Sequence, residues 1–192
     1  MAPIKAEPLR RAVLDAAIAI SAATGPDAIS LREVAREAGV SHQAPYHHFG
    51  DRAGIFAAIS AEGYSLLTKE LSDSRTHGAR STCEAYVHFA LQHKGHFRVM
   101  FRSDLCNVEN YPEALVQADL AFGVLLDEVN AVLGDNANET SARAQATYMW
   151  SVAHGLATLL LDGPLEKKLG EIADVNAFVK QVAQIASASI HA

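Results

Sequence analysis

Apolar residues recur at helical spacing along nearly the whole chain, and Gly, Pro and Asn cluster between the periodic segments. This pattern predicts an all-α protein whose helices cover 9–24, 30–38, 42–48, 52–71, 82–93, 96–102, 113–133, 139–161 and 171–189. The stretch 72–81 holds Ser, Thr, His and Gly but little apolar material, so it is predicted to be a loop.

A tight turn connects the second and third predicted helices. Ser30 and Glu33 fit an S-x-x-E capping box, which marks a helix start. Gly39 can take the left-handed conformation that ends this helix, and Ser41 can cap the next one. The layout is that of a helix-turn-helix, in which the second helix enters the DNA major groove. The alternative is an ordinary αα-hairpin with a polar surface.

The composition of the second helix of this pair favours the DNA interpretation. Hydrogen-bonding side chains without negative charge crowd into it, namely His42, Gln43, Tyr46, His47 and His48. Gln can bond bidentately to adenine, and Tyr, Ser and His can reach phosphates. With Ser41 as the cap, Pro45 would be the fourth helical residue and would remove the first intrahelical hydrogen bond.

Residues 10–56 resemble the DNA-binding domain of the TetR family of bacterial transcriptional regulators. The resemblance is carried by the run S-L-R-E-V-A-x-x-A-G-V-S, then Tyr46, His48 and Phe49, a basic Arg52 and the apolar pair Ile55-Phe56. The chain departs from the family at 43–45, where Gln-Ala-Pro replaces the usual Gly-Thr-Leu. The motif and the resemblance together predict these DNA contacts: Ser30, Arg32, Ser41, His42, Gln43, Ala44, Tyr46, His47, His48 and Arg52.

The segment Trp150-Ser-Val-Ala-His-Gly155 resembles the Trp…His-Gly signature of one class of C-terminal domains in the same family. The two resemblances imply an N-terminal three-helix DNA-binding domain over 1–56, a connecting fourth helix over 52–71, and a larger helical effector-binding and dimerisation domain over 72–192. Gly155 inside a long helix costs about 1 kcal/mol relative to Ala, so we expect a close approach by another helix or a ligand there.

Aromatic residues of the C-terminal part are candidates for an effector pocket. We predict that its walls are Phe89, Phe101, Phe122, Tyr148 and Trp150, with His154 as a polar anchor. Plain core packing is the alternative for the aromatic set, and a satisfied core histidine is the alternative for His154.

Charge, cysteine count and other motifs restrict the remaining possibilities. The net charge is −6, but residues 1–52 are neutral overall, so the acidic excess lies away from the predicted DNA face. Two cysteines favour a reducing cytoplasm, and no apolar run is long enough to span a membrane. A metal site from His88, His93 and His96 with Cys106 is the less favoured alternative to solvated histidines. We predict no metal and no cofactor.

Two functions of different classes fit these features. The first is a ligand-responsive repressor that binds a palindromic DNA operator as a homodimer, built from its last two long helices, and is released by a small apolar or aromatic effector. The second is a helical enzyme or small-molecule carrier whose hairpin only mimics a DNA-binding motif. The sequence has no Walker loop, no dinucleotide-binding glycine pattern and no HExxH. We therefore favour the first and expect no enzymatic activity.

Overall fold

The computed structural model describes residues 6–136 and 138–188, and within them the chain is helical without any strand. Ten α-helices follow one another in this described part of the chain: α1 Ala6–Thr24, α2 Leu31–Glu37, α3 Ala44–Phe49, α4 Arg52–Ser74, α5 Ala79–Gln92, α6 Lys94–Met100, α7 Pro112–Leu133, α8 Glu139–Leu161, α9 Pro164–Leu169 and α10 Val175–Ala188. The predicted all-α class is confirmed. None of the described helices is both long enough and apolar enough to cross a bilayer.

The first of two compact units contains the described residues up to Ser65 together with His93–Ala118. Its core forms where the apolar faces of α1, α2, α4 and α6 meet, and includes Val13, Leu14, Ala17, Val34, Ile55, Phe56, Ile59 and Val99. At the edge of this core Glu62 accepts hydrogen bonds from Arg11 and from Nε2 of the buried His96, the latter at 3.0 Å. Burial opposes ionisation of Glu62, but these bonds outweigh it and hold the pKa of the carboxyl below its usual value.

The second unit contains Leu66–Gln92 and the described residues from Asp119 onward. Here α5 packs against α8 and α10, and small side chains let these helices approach closely. Its buried residues include Val87, Phe89, Ala90, Ala153, Leu156, Ala157, Val179 and Ala183. A second cluster joins Val129 of α7 to Ala142 and Ala146 of α8.

These units do not follow the boundary drawn from sequence at residue 72. Residues 93–118 pack into the first unit because α6 lies against α1, with Val99 and Cys106 in its core. The predicted connector, α4, is one continuous helix whose first part lies in the first unit and whose remainder lies in the second. Composition along the chain does not reveal which core a helix joins.

Two predicted segments are corrected. The stretch 72–81 is not a loop: α4 continues to Ser74, a single 3₁₀ turn follows, and α5 begins at Ala79. Its hydroxyls serve the helix ends, since Ser74 Oγ donates to the carbonyl of Leu71 at 2.7 Å. The predicted last helix begins later than residue 171, at Val175, because Asp174 accepts a hydrogen bond from the Ala177 amide at 2.9 Å and so caps α10. The short α9 was not predicted, and residue 189 lies outside the described residues.

Candidate DNA-reading face and effector site

Ser30 caps the start of α2 as predicted, but the Glu33 side chain does not complete the expected capping box. Ser30 Oγ accepts a hydrogen bond from the amide of Glu33 at 3.1 Å, which satisfies one of the unpaired amides of the first turn. The Glu33 carboxylate is paired with Arg36 one turn further on. Arg36 therefore carries an internal counter-charge. Its neighbour Arg32 is exposed as well, and its charge is available for a contact outside the protein.

The turn after α2 depends on Gly39. Its φ of 64° is left-handed, and Val40 N donates to the carbonyl of Ala35 at 3.0 Å, which closes the helix with a Schellman motif. A residue with a Cβ would be strained at this φ. The turn brings the half-buried Val40 against the core of the first unit and sets the direction in which α3 begins.

The recognition helix begins later than predicted. It runs from Ala44 to Phe49 with Gln43 as its N-terminal flanking residue, so Ser41 is not its cap. This shift removes the expected penalty for Pro45, which falls in the first helical turn, where an amide has no intrahelical acceptor. Ala44 N reaches the carbonyl of Ser41 at 3.0 Å instead. His42 and Gln43 thus lie in the turn that leads into α3.

Most of the predicted contact residues are at the surface. The exposed side chains of the turn and of α3 form what we call the reading face: Ser41, His42, Gln43, Tyr46 and His47. Tyr46 is 55 % exposed, so its ring and its hydroxyl are accessible for a contact. His48 is half-buried. The prediction for Ala44 is corrected, because its side chain is only 5 % exposed and packs inward with Pro45.

Arg52 has a role inside the protein that the sequence did not indicate. Its Nη2 donates to the carbonyls of Pro26 and Asp27 at 3.1 and 3.2 Å, and its guanidinium lies 4.8 Å from the centre of the Phe56 ring. These contacts attach the start of α4 to the turn between α1 and α2. A phosphate contact would have to use the remaining N–H groups of this exposed side chain.

A second arginine, missed by the sequence analysis, lies beside the recognition helix. The guanidinium of Arg10 lies 5.2 Å from the centre of the Phe49 ring, at the last residue of α3. The rings of Phe49 and His48 are 6.4 Å apart. Arg10 and Phe49 lie far apart in the sequence, so no local pattern predicts their contact.

In the second unit, three side chains form a hydrogen-bonded chain. Trp150 Nε1 donates to the hydroxyl of Tyr86 at 3.1 Å, and that hydroxyl is 2.9 Å from Nδ1 of His154. Because an indole N–H can only donate, the Tyr86 oxygen accepts from Trp150. Burial lowers the pKa of the His154 imidazole, which favours its neutral form.

Phe122 completes this group. Its ring contacts the Trp150 ring edge-on at 6.2 Å between centres, and the rings of Trp150 and His154 are 6.4 Å apart. Phe122 and Trp150 are each 37 % exposed although both are large and apolar. We call Tyr86, Phe122, Trp150 and His154 the aromatic cluster. Sequence reasoning found three of its four members and missed Tyr86.

The other predicted pocket residues have different environments. Phe89 is fully buried in the second unit, and Tyr148 is 40 % exposed. Phe101 belongs to the first unit, where its ring contacts those of Tyr64 and Phe97 at 5.7 and 5.4 Å. The Phe101 ring thus packs among aromatic side chains of the first unit, and its assignment to the effector pocket stays a prediction.

The alternative metal site does not form among the described residues. His96 is buried and bonded to Glu62, and the Cys106 thiol is part of the core of the first unit. No group of three or more His, Cys, Asp or Glu within 6–136 and 138–188 is placed to hold a metal ion.

A capped helix, a Schellman turn and a short second helix with polar exposed side chains define a helix-turn-helix DNA-binding regulator. Comparison with known families makes the assignment more specific. Residues 13–59 match the model described as bacterial regulatory proteins, tetR family, and residues 79–184 match that of a tetracyclin repressor-like C-terminal domain. The chain belongs to the TetR family of bacterial regulatory proteins.

Solved structures agree with this assignment. A protein of unknown function from Rhodococcus sp. RHA1 is 29 % identical and matches with a TM-score of 0.73 over 99 % of this chain and 97 % of its own. A tetR-family regulatory protein from Rhodococcus RHA1 is 19 % identical, with a TM-score of 0.69 over 95 % and 96 %. The fatty acid degradation regulator FadR from Bacillus halodurans is 13 % identical, with a TM-score of 0.71 over 94 % and 95 %. No curated protein matches the chain.

Proposed function

We propose that this DNA-binding regulator is a repressor that binds a palindromic operator as a homodimer and is released by a small apolar or aromatic effector. The observation that carries the DNA part is the reading face. It presents five exposed hydrogen-bonding side chains, which lie on the short helix α3 and on the turn before it. A protein with this role works in the cytoplasm, where the DNA is.

Each side chain of the reading face is assigned a role from its position. Gln43 and His42 precede α3 and are proposed to reach base edges, because the N-terminal end of a recognition helix is the part that enters the groove. Ser41, Tyr46, His47 and His48 are proposed to bind phosphates, with Ser30 and Arg32 contributing from the start of α2. For Arg52 the proposed phosphate contact is secondary to its hydrogen bonds with the 26–27 turn.

The test is a selection from random DNA duplexes with the purified protein. We expect an enriched sequence with two-fold symmetry whose half-sites lie one helical turn, roughly 34–36 Å, apart. Tyr46→Ala should reduce binding to this operator, and Leu120→Ala, which truncates an exposed side chain outside the reading face and the aromatic cluster, is the control. Recovery of no enriched palindrome would contradict the proposal.

The proposed dimer interface is formed by α8 and α10. A Cβ added at Gly155 of α8 would meet no atom within 4 Å, so packing inside one chain does not explain this helical glycine. Leu159 lies one turn further along α8 and is 43 % exposed, and Ile185 of α10 is 71 % exposed. Apolar and small residues on two long helices suit a four-helix interface about a two-fold axis.

Glycine substitutions test the interface. Gly155→Leu would place a bulky side chain where we propose that the second copy approaches, so the dimer should dissociate at concentrations at which the wild type does not. Gly123→Leu on α7 is the matched control, because a Cβ there also meets nothing within 4 Å. Light scattering measures the mass. A wild type of 20.5 kDa at micromolar concentration would contradict the homodimer.

The aromatic cluster is the proposed effector site. It offers two half-exposed apolar rings beside an imidazole that is hydrogen-bonded to Tyr86 and kept neutral by burial, a combination typical of sites that bind apolar ligands with one polar group. Phe89 and Tyr148 are proposed to support the wall. The assignment of Phe101 stays a prediction from the sequence, because its ring packs in the first unit.

A further inference from the structure

The arginines of the first unit differ in whether the protein itself satisfies them. Five of the seven have partners: Arg11 and Arg36 pair with carboxylates, Arg52 and Arg98 donate to backbone carbonyls, and Arg102 pairs with Asp104. Within the part of the unit that the structure describes, Arg10 and Arg32 have neither a hydrogen bond nor an ion pair. Arg32 is already a proposed phosphate contact.

Arg10 is unpaired but still held in place. Its guanidinium lies over the Phe49 ring, and a cation–π contact of this kind is attractive and favours one orientation of the guanidinium. A planar, always-charged guanidinium that is already oriented loses little conformational entropy when it binds phosphate. Asp15, which lies on the same helix, forms its ion pair with Arg11 and not with Arg10.

The position of the Arg10–Phe49 pair indicates which ligand Arg10 can bind. Phe49 is the last residue of the recognition helix and contacts His48. When a recognition helix enters the major groove, the sugar-phosphate backbone passes its C-terminal end. We propose that Arg10, held on Phe49, is an additional DNA-phosphate contact made from α1. This inference rests on the proposed DNA binding, and the alternative is that Arg10 only stabilises the end of α3.

The experiment separates charge from packing. Arg10→Met keeps an unbranched side chain that can lie against Phe49 but removes the charge, and Arg10→Lys keeps the charge. Arg143→Met, at an exposed arginine of the second unit, is the control for loss of one positive charge. Binding to the selected operator and to an unrelated duplex of equal length is measured from 50 to 300 mM salt, with thermal unfolding of each variant in parallel.

We expect Arg10→Met to weaken binding to both duplexes and to reduce the salt slope by about 1 for each Arg10 in the complex. Arg10→Lys should restore the slope, and Arg143→Met should leave it unchanged. A wild-type slope in Arg10→Met would overturn the phosphate contact, even if affinity fell, and would assign Arg10 to packing alone. A wild-type protein that bound neither duplex would overturn the proposed function together with this inference.

Discussion

At the residue scale, the hydroxyl of Tyr86 connects the aromatic cluster, because it forms hydrogen bonds with two other members. It accepts from Trp150 and is hydrogen-bonded to Nδ1 of His154, so its loss leaves an indole N–H and an imidazole nitrogen without this partner. The hydroxyl therefore helps to orient both the tryptophan and the histidine. A ligand that approaches the cluster meets Trp150 and His154 of α8 in orientations that depend on Tyr86 of α5.

Tyr86→Phe should consequently destabilise the second unit. We expect the free energy of unfolding to fall by about 1–3 kcal/mol, the cost of losing two hydrogen bonds at partly buried groups. Urea unfolding followed by circular dichroism measures this, and the emission of Trp150, the single tryptophan, should change at the same time. Tyr46→Phe is the control at an exposed hydroxyl and should stay within about 0.5 kcal/mol of wild type. Equal stability of the two variants would show that the hydrogen-bonded chain is not formed in solution.

His154 makes the aromatic cluster sensitive to acid. Burial lowers the pKa of His154 in the folded protein below the ordinary 6.5, so the unfolded chain binds the proton more readily. Stability is therefore complete above about pH 6.5, falls as the pH drops below it, and levels off below the folded pKa. Trp150 emission should change with a midpoint below pH 6.5. His154→Gln should abolish this transition, and an unchanged transition in that variant would assign it to another group.

Residue roles could be predicted from sequence only where a local pattern defines them. Trp150 and His154 are one helical turn apart, so their contact was recoverable, whereas Tyr86 is on another helix and was missed. Arg52 was assigned to DNA by resemblance, yet its guanidinium also bonds to carbonyls 25 and 26 residues earlier. Ala44 was assigned by position in the motif, but burial is set by where α3 begins, and that start moved by two residues.

At the element scale, the ends of helices follow their capping residues. Ser30 begins α2, Gly39 ends it, and Asn138 begins α8 through a reciprocal pair of hydrogen bonds with Ser141 at 2.9 and 3.1 Å. Helix α8 was predicted with its observed bounds, because a cap and a Gly-Pro stop enclose it. The 72–81 stretch was not, since hydroxyl side chains fit a loop and a capped helix end equally well.

Substitutions of two glycines by alanine should have opposite effects on stability, because one glycine ends a helix in left-handed backbone and the other lies inside a helix. Gly39→Ala forces a Cβ into left-handed backbone at φ 64° and should destabilise the first unit by about 1–2 kcal/mol. Gly123→Ala lies in the interior of α7, where a Cβ meets nothing within 4 Å, and should stabilise by up to about 1 kcal/mol. Denaturant midpoints compare the two. Stabilisation by Gly39→Ala would mean that the turn before α3 has a different conformation.

At the scale of the whole molecule, the sequence predicted a reader and an effector domain but not how the chain divides into cores. Helix α6 and the segment after it pack in the first unit although they lie between helices of the second. The connecting helix α4 belongs to both units. An effector bound in the second unit can change DNA affinity only if it prefers one arrangement of the two recognition helices in the dimer.

The last prediction concerns this coupling. Binding of the effector at the aromatic cluster should shift α4 and move the recognition helices off their half-site spacing, with a coupling of about 1–3 kcal/mol, or roughly 5–150-fold in operator affinity. Trp150 reports occupancy directly, so its emission should titrate with the same midpoint as operator release. Linkage is reciprocal, and the operator should weaken effector binding by the same factor. Trp150→Phe removes the signal but should keep most of the release, whereas His154→Ala should raise the effector concentration needed for both. A compound that releases the operator equally well from wild type and His154→Ala would place the effector site elsewhere in the second unit.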